Sequence, residues 1–173
     1  MDFQPAVYEH AAALIGKTPW EVSRGSPPLV EAHRAAFDIY RHTLVVVGID
    51  IYNLEAEAYG AQIVEPDGGA GIPSFARSLL ENVSDIERLP DLNPAHSGRL
   101  PMIIQAALEL RRQLPDAAIR VPVSGPFSLA SHLCGLETLL CECLTDPAAV
   151  RTALERLVAG QLRRFGEEGR GVA

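Results

Sequence analysis

Cysteine is scarce in this sequence and poorly placed for bridging. The three thiols, Cys134, Cys141 and Cys143, are an odd number crowded into one short stretch, which excludes the disulfide framework of a small secreted domain. Long apolar runs are also missing: none approaches the ~20 residues that a membrane-crossing helix needs. Positive charge is in deficit, with a formal net charge of -7, so a nucleic-acid partner, which would want a basic face, is not expected. The opening residues, MDFQPAVYEH, have neither the basic n-region nor the apolar h-region of a secretory signal. These absences lead to the expectation of a cytoplasmic protein with no membrane and no nucleic-acid partner. There is no repeat of fixed period and no low-complexity tract.

What is present is enough for one domain with a real core. The chain has 173 residues, of which 47% are hydrophobic and 21% charged, as in an ordinary globular protein. Residues 1–173 are therefore read as one unit. AVYEHAAALIGK has the spacing of an amphipathic helix, with Val7, Ala11, Leu14 and Ile15 on one face and Gly16 as a stop. TPWEVSRG reads as a short extended piece after Pro19, and PPLVEAHRAAFDIYRH as a helix with prolines at its tolerant start. TLVVVGID is a β-branched run with the length of a buried strand. YNLEAEAYG follows as a short helix closed by Gly60.

Residues 61–99 are rich in Gly, Pro and turn formers. They read as a surface excursion over one rim, in the form of a β-hairpin. RLPMIIQAALELRRQL then predicts a helix, and AAIRVPVSG a third buried strand. PFSLASHLCGLETLLCECL predicts one helix. TDPAAVRTALERLVAGQLRRFGEEG predicts another, with Thr145 or Asp146 as N-cap and Pro147 at the first helical position. A fourth strand would begin at the C-terminus, and RRFGEEGR reads as a solvated helix end.

Strands alternating with helices imply a parallel sheet. An open doubly wound sheet would want a Gly-rich phosphate loop between a strand and a helix. The only such run, GGAG at 68–71, lies in the excursion. The expected fold is therefore α/β, a partial (β/α)8 barrel of about three βα units with an N-terminal helix and a rim excursion. A closed barrel needs eight units in ~250 residues.

Within that frame, VPVSGPFSLASHLCGLETLL and DPAAVRTALERL resemble the third strand and following helices of the uroporphyrinogen decarboxylase superfamily. That superfamily includes cobalamin-dependent methyltransferases. HAAALIGKTPWEVSRG resembles its N-terminal helix and first strand. VGIDIYNLEAEAYGAQI resembles its second strand and loop, in the style of the methyltransferase-like members. The resemblance covers nearly the whole chain and corresponds to the N-terminal part of the barrel.

The resemblance implies an active site at the C-terminal ends of the strands. Asp50 matches the decarboxylase carboxylate that binds pyrrole N–H groups, a task that suits an acceptor of several hydrogen bonds. Arg24 matches the first of two arginines that hold substrate carboxylates. The second is missing, because GSPPL follows. A tyrosine expected after SGPFSLAS is replaced by His132. These departures fit methyl transfer from a methyl-corrinoid to a thiol-like acceptor better than decarboxylation of tetrapyrrole acetate side chains. The latter stands as an alternative, and a non-catalytic half-barrel binding or assembly module as a second.

Asp50 is thus the candidate catalytic residue, with Arg24, Tyr52, Asn53, Glu55 and His132 as candidate substrate-binding residues. Plainer roles compete: Asp50 or Asn53 would cap the next helix. Glu55 and Glu57, two apart on a helix, point in different directions. One is expected to be solvated while the other faces the rim. HLC at 132–134 invites a zinc reading with Cys141 or Cys143, but helical geometry puts His132 and Cys134 about 200° apart. Cys134 and Cys141 would instead share one face as small buried hydrophobes. No cofactor is expected within this chain; a completed barrel would bring zinc and a corrinoid. The expected partners are a tetrapyrrole or corrinoid ligand, a corrinoid protein, and a complementary half-barrel or a second copy, because three strands cannot close a barrel.

Overall fold

The computed structural model describes residues 3–68 and 71–168, and side chains up to residue 161. The predicted fourth strand and RRFGEEGR lie outside the described residues or side chains. Helix α1 is Tyr8–Leu14, and Gly16 ends that turn with φ of 67°. Residues 18–24 correct the expected first strand. Pro19–Ser23 is a short helix, α2, whose N-cap Thr18 and N3 residue Glu21 form a reciprocal capping box. Thr-x-x-Glu with Pro at the first helical position is a helix start, and these local bonds outweigh the extended reading.

Helix α3, Ser26–Tyr40, leads into strand β1, Leu44–Val46. Strand β4, Ala118–Arg120, pairs with β1 in parallel, with Leu44 opposite Ala118 and Val46 opposite Arg120. The Val47 amide extends the ladder by one bond to the Arg120 carbonyl. β1 fits the buried reading in part: Val45, and Val47 just past the strand, are fully enclosed, while Leu44 and Val46 are half-buried. β4 does not: Ala118 and Arg120 are exposed and only Ile119 is half-buried. Val45 and Val47 lie inside the apolar cluster, whereas of β4 only Ile119 packs against it. Among the described residues the sheet has these two strands.

The hairpin expected within residues 61–99 forms, but the segment is not all surface: Val83 and Ile86 are fully buried. β2, Ile63–Val64, and β3, Ser74–Phe75, make an antiparallel hairpin. A 3-10 helix at Val83–Arg88 follows, then α5 at Leu100–Gln113. The predicted single helix over 126–144 is two, α6 at Pro126–Cys134 and α7 at Leu136–Thr145, bent by 110°. Gly135 makes the corner with φ of 86°, a conformation that a side chain resists; a Cβ there would also stand 2.9 Å from Ser78 Oγ. The break ruins the helical phase between the cysteines. Cys134 is buried and Cys141 exposed, so the two do not share a face. Helix α8 is Pro147–Glu168, and Asp146 Oδ1 accepts from the Ala149 amide as the cap predicted for it.

Two apolar clusters carry the fold. One joins α1, α2, α3, β1 and α5 around Leu29, Val45, Ile49 and Leu110. The other joins the 3-10 helix, α6, α7 and α8 around Ile86, Leu133, Leu139 and Leu157. Between them runs α4, Leu54–Ala58. Leu54 enters the first cluster and Ala56 the second, so burial on both sides fixes the segment that follows β1. No single described helix is long and apolar enough to cross a membrane; the bent pair α6–α7 passes that test only on summed length and composition.

Candidate functional site

Beyond the last ladder bond of β1 the chain turns at Gly48. Its φ is 132°, and a Cβ there would come within 2.4 Å of Ile51 Cγ2, so the turn requires glycine. The Gly48 amide donates to His33 Nε2 of α3 at 2.9 Å. Two residues later Asp50 points inward with its side chain fully buried.

Four charged side chains meet there. Asp50 Oδ2 accepts from Arg99 Nη2 at 2.8 Å and from Arg24 Nη2 at 3.3 Å. Glu57 takes the other arms of the same forks, from Arg24 Nη1 at 2.9 Å and Arg99 Nε at 2.5 Å. Arg99 Nη1 also donates to the Ser23 carbonyl. Arg24 lies over the Trp20 ring, 3.8 Å from its centroid. Planar guanidiniums suit this bidentate bridging as ammonium groups would not. Asn53 closes the cluster, donating to Asp50 Oδ1 and to the Pro73 carbonyl of the hairpin. Burial pushes the Asp50 carboxyl up from its ordinary value, against the pull of Arg99, Asn53 and Arg24. Burial, and then the adjacent Arg99, pull the Arg24 guanidinium down; it remains a cation, as arginine does in proteins.

Of the sequence candidates, Asp50, Arg24 and Asn53 touch one another. Neither Asp50 nor Asn53 caps α4 with its side chain: Asn53 holds the N-cap position without a cap bond. Tyr52 stands at the edge, 46% exposed, with its ring edge-on to Tyr8. His132 sits against Phe75 of the hairpin, ring centroids 5.1 Å apart. Burial lowers its pKa, and its Nδ1 meets no partner.

Glu55 faces elsewhere. It is buried and accepts from the Ser124 amide at 2.6 Å and from Gln161 Nε2 at 2.9 Å, which ties α4 to the loop after β4 and to α8. The two glutamates do diverge, but neither is the solvated one expected: Glu57 is held between two arginines. Its pairing, and Arg99 itself, escaped sequence reasoning. Arg99 is the residue before α5, 49 positions from Asp50, and no local pattern marks it. The one available hint was that an acid following a buried strand, with another seven residues on, calls for cations from elsewhere.

Zinc does not fit the described residues. No group of three or more His, Cys, Asp or Glu is placed to hold a metal ion among them. Cys134 is buried, its thiol pushed up by burial to about 11, and its Sγ lies 3.7 Å from the Asn82 carbonyl.

With this geometry in view, a family model described as uroporphyrinogen decarboxylase matches residues 6–163. The chain belongs to the uroporphyrinogen decarboxylase family. No match was found among curated proteins. Among solved structures the chain is similar to a methyltransferase from Methanosarcina mazei, with a TM-score of 0.79 at 17% identity, covering 96% of this chain and 49% of that one. At that identity the likeness shows the fold: α/β, rich in helix, with few parallel strands, matching part of a barrel. The chain spans about half the length of that relative.

Within this family the placement of the cluster acquires meaning. Asp50, Arg24, Arg99, Asn53 and Glu57 all gather past the C-terminal end of β1, the end at which barrel enzymes do their chemistry.

Proposed function

We propose that this chain is the N-terminal part of a corrinoid-dependent methyltransferase, moving a methyl group from a methyl-corrinoid to a thiol-like acceptor, and that the Asp50 cluster belongs to its substrate pocket. The observation that carries this reading is charge balance. Arg24 and Arg99 are matched one for one by Asp50 and Glu57. A tetrapyrrole bearing many carboxylates needs surplus positive charge, and this cluster holds none. In this reading Asp50 and Asn53 orient the pocket wall. Tyr52 and His132 supply an exposed ring and a ring nitrogen at its edge, and Glu55 braces the wall from behind. Any zinc used to activate the thiol draws its ligands from outside the described residues.

One observation favours the alternative, tetrapyrrole decarboxylation. Arg99 brings a second guanidinium beside Arg24, in the role that sequence pattern left unfilled. Asp50 would then have to exchange its arginines for pyrrole N–H groups. The sheet supports the same reading of the partners. β4 pairs on one side, and Val121, Val123 and Phe127 just after it are exposed apolar residues. A complementary half-barrel, in the same polypeptide or another, or a second copy would cover them. A corrinoid protein is the expected methyl donor, and a cytoplasmic location belongs to the same reading.

The test uses the polypeptide completed to barrel length. It is incubated anaerobically with methylcobalamin and a thiol, and the visible spectrum is followed. Loss of the methyl-corrinoid spectrum that is thiol-dependent and abolished in Asp50→Ala supports the reading. Conversion of uroporphyrinogen to less carboxylated porphyrinogens, with no change in the corrinoid, replaces it by the alternative.

A further inference from the structure

His33 has no part in the cluster, yet it holds the backbone two residues before Asp50. Its ring is wholly buried on α3. Nε2 accepts from the Gly48 amide at 2.9 Å, so it carries no hydrogen, and the neutral ring must hold its proton on Nδ1. Nδ1 meets no partner. A buried N–H left unpaired is a standing cost, which an apolar side chain in the same place would not incur. The acceptor at Nε2 is what the ring offers in return.

That acceptor comes at a particular point in the chain. The Val47 amide is the last to find its partner in the sheet, at the Arg120 carbonyl. Gly48 is the next donor, buried and past the ladder, in a conformation open only to glycine. A buried amide there must be paired, and α3 supplies the partner from outside the sheet. Asp50 follows two residues on, in the bend at Ile49 and Asp50 that opens directly after Gly48. We propose that His33 is a positioning residue for Asp50: by accepting the Gly48 N–H it fixes the turn that delivers the Asp50 carboxylate to Arg24, Arg99 and Asn53. Its bearing on methyl transfer rests on the function proposed above; its bearing on the turn does not.

The first measurement is made on the unmodified full chain by nitrogen NMR of the His33 ring. A protonated Nδ1 with an unprotonated, hydrogen-bonded Nε2 is expected; a proton on Nε2 overturns the proposal whatever any variant does. Two variants then separate acceptance from packing. His33→Gln places an amide oxygen near the position of Nε2, whereas His33→Phe keeps a planar ring and removes the acceptor. In His33→Phe, Gly48 amide exchange is expected to speed up by about tenfold or more, and the Asp50 carboxyl titration to move. His33→Gln should bring both back toward the unmodified values. If Gly48 exchange and the Asp50 titration are the same in His33→Phe as in the unmodified chain, or if both variants change them equally, His33 only fills space. None of these readouts needs turnover. If the chain passes them while the polypeptide completed to barrel length transfers no methyl group, the proposed function is refuted and the positioning role stands.

Discussion

Arg99 Nη2 donates to Asp50 Oδ2 across 2.8 Å, although 49 residues separate them in sequence. The bond joins the residue before α5 to the segment just past β1, and both side chains are largely out of solvent, at 11% and 0% exposure. Removing one member of a buried pair leaves the other charge uncompensated, at a cost of about 3–5 kcal/mol. Arg24 and Asn53 still hold Asp50, so Arg99→Ala should cost less, about 2–4 kcal/mol. Arg99→Lys should recover part of it, since an ammonium cannot fork between Asp50 and Glu57. Urea unfolding of the three proteins decides; a loss under ~0.5 kcal/mol, typical of a surface position, would mean the pair contributes nothing.

Glu55 is a bracket. Its two oxygens serve the Ser124 amide and Gln161, and Gln161 also donates to the Ser124 carbonyl. Glu55→Ala should cost about 2–3 kcal/mol by orphaning these donors. Glu55→Gln keeps an acceptor oxygen and should cost about half as much. Hydrogen exchange at Ser124 should accelerate in the alanine variant. Unchanged exchange there would show that the loop after β4 is held by something else.

Stability should fall on mild acidification because of the buried histidines. Burial holds the His33 ring down from 6.5 to about 4. It is therefore neutral in the folded chain while the unfolded chain takes up a proton. Its contribution is complete above 6.5 and is lost progressively as pH falls toward 4. Across that window the loss is about 3 kcal/mol, at about 1.4 kcal/mol per pH unit. His42, buried and with neither ring nitrogen partnered, is lowered by burial as well and acts in the same direction. Thermal melts between pH 7.5 and 4.5 test this, and His33→Gln should flatten the slope. A slope that the variant leaves intact would place the acid sensitivity elsewhere.

The thiols should differ sharply. Cys141 is exposed, whereas Cys134 is buried with its thiol pushed up to about 11. Iodoacetamide at pH 8 should alkylate Cys141 in the native protein and leave Cys134 untouched until denaturant is added. Peptide mass spectrometry reads both sites. Early labelling of Cys134 would contradict the packing of α6 against the 3-10 helix.

The amino-acid sequence by itself determined most of the elements. Periodic apolar spacing in α3 and α5, the β-branched run of β1, and the Gly and Pro of residues 61–99 are local signals, and local backbone preferences answer to them. That Asp50 follows the buried run was legible for the same reason, but the strand closes at Val46 and Asp50 lies in the bend beyond it, not at the strand's end. Two local signals were present but outweighed in the reading: the Thr18–Glu21 capping box of α2 and the helix-breaking Gly135. Tertiary structure alone decided the site. Which cations reach Asp50, that Glu57 joins them while Glu55 turns toward α8, and that His33 serves the Gly48 amide all depend on how α3, α4 and α5 pack around β1. Those contacts join residues 15 to 106 positions apart. No pattern of neighbours along the chain encodes them, because they exist only once burial has brought the elements together.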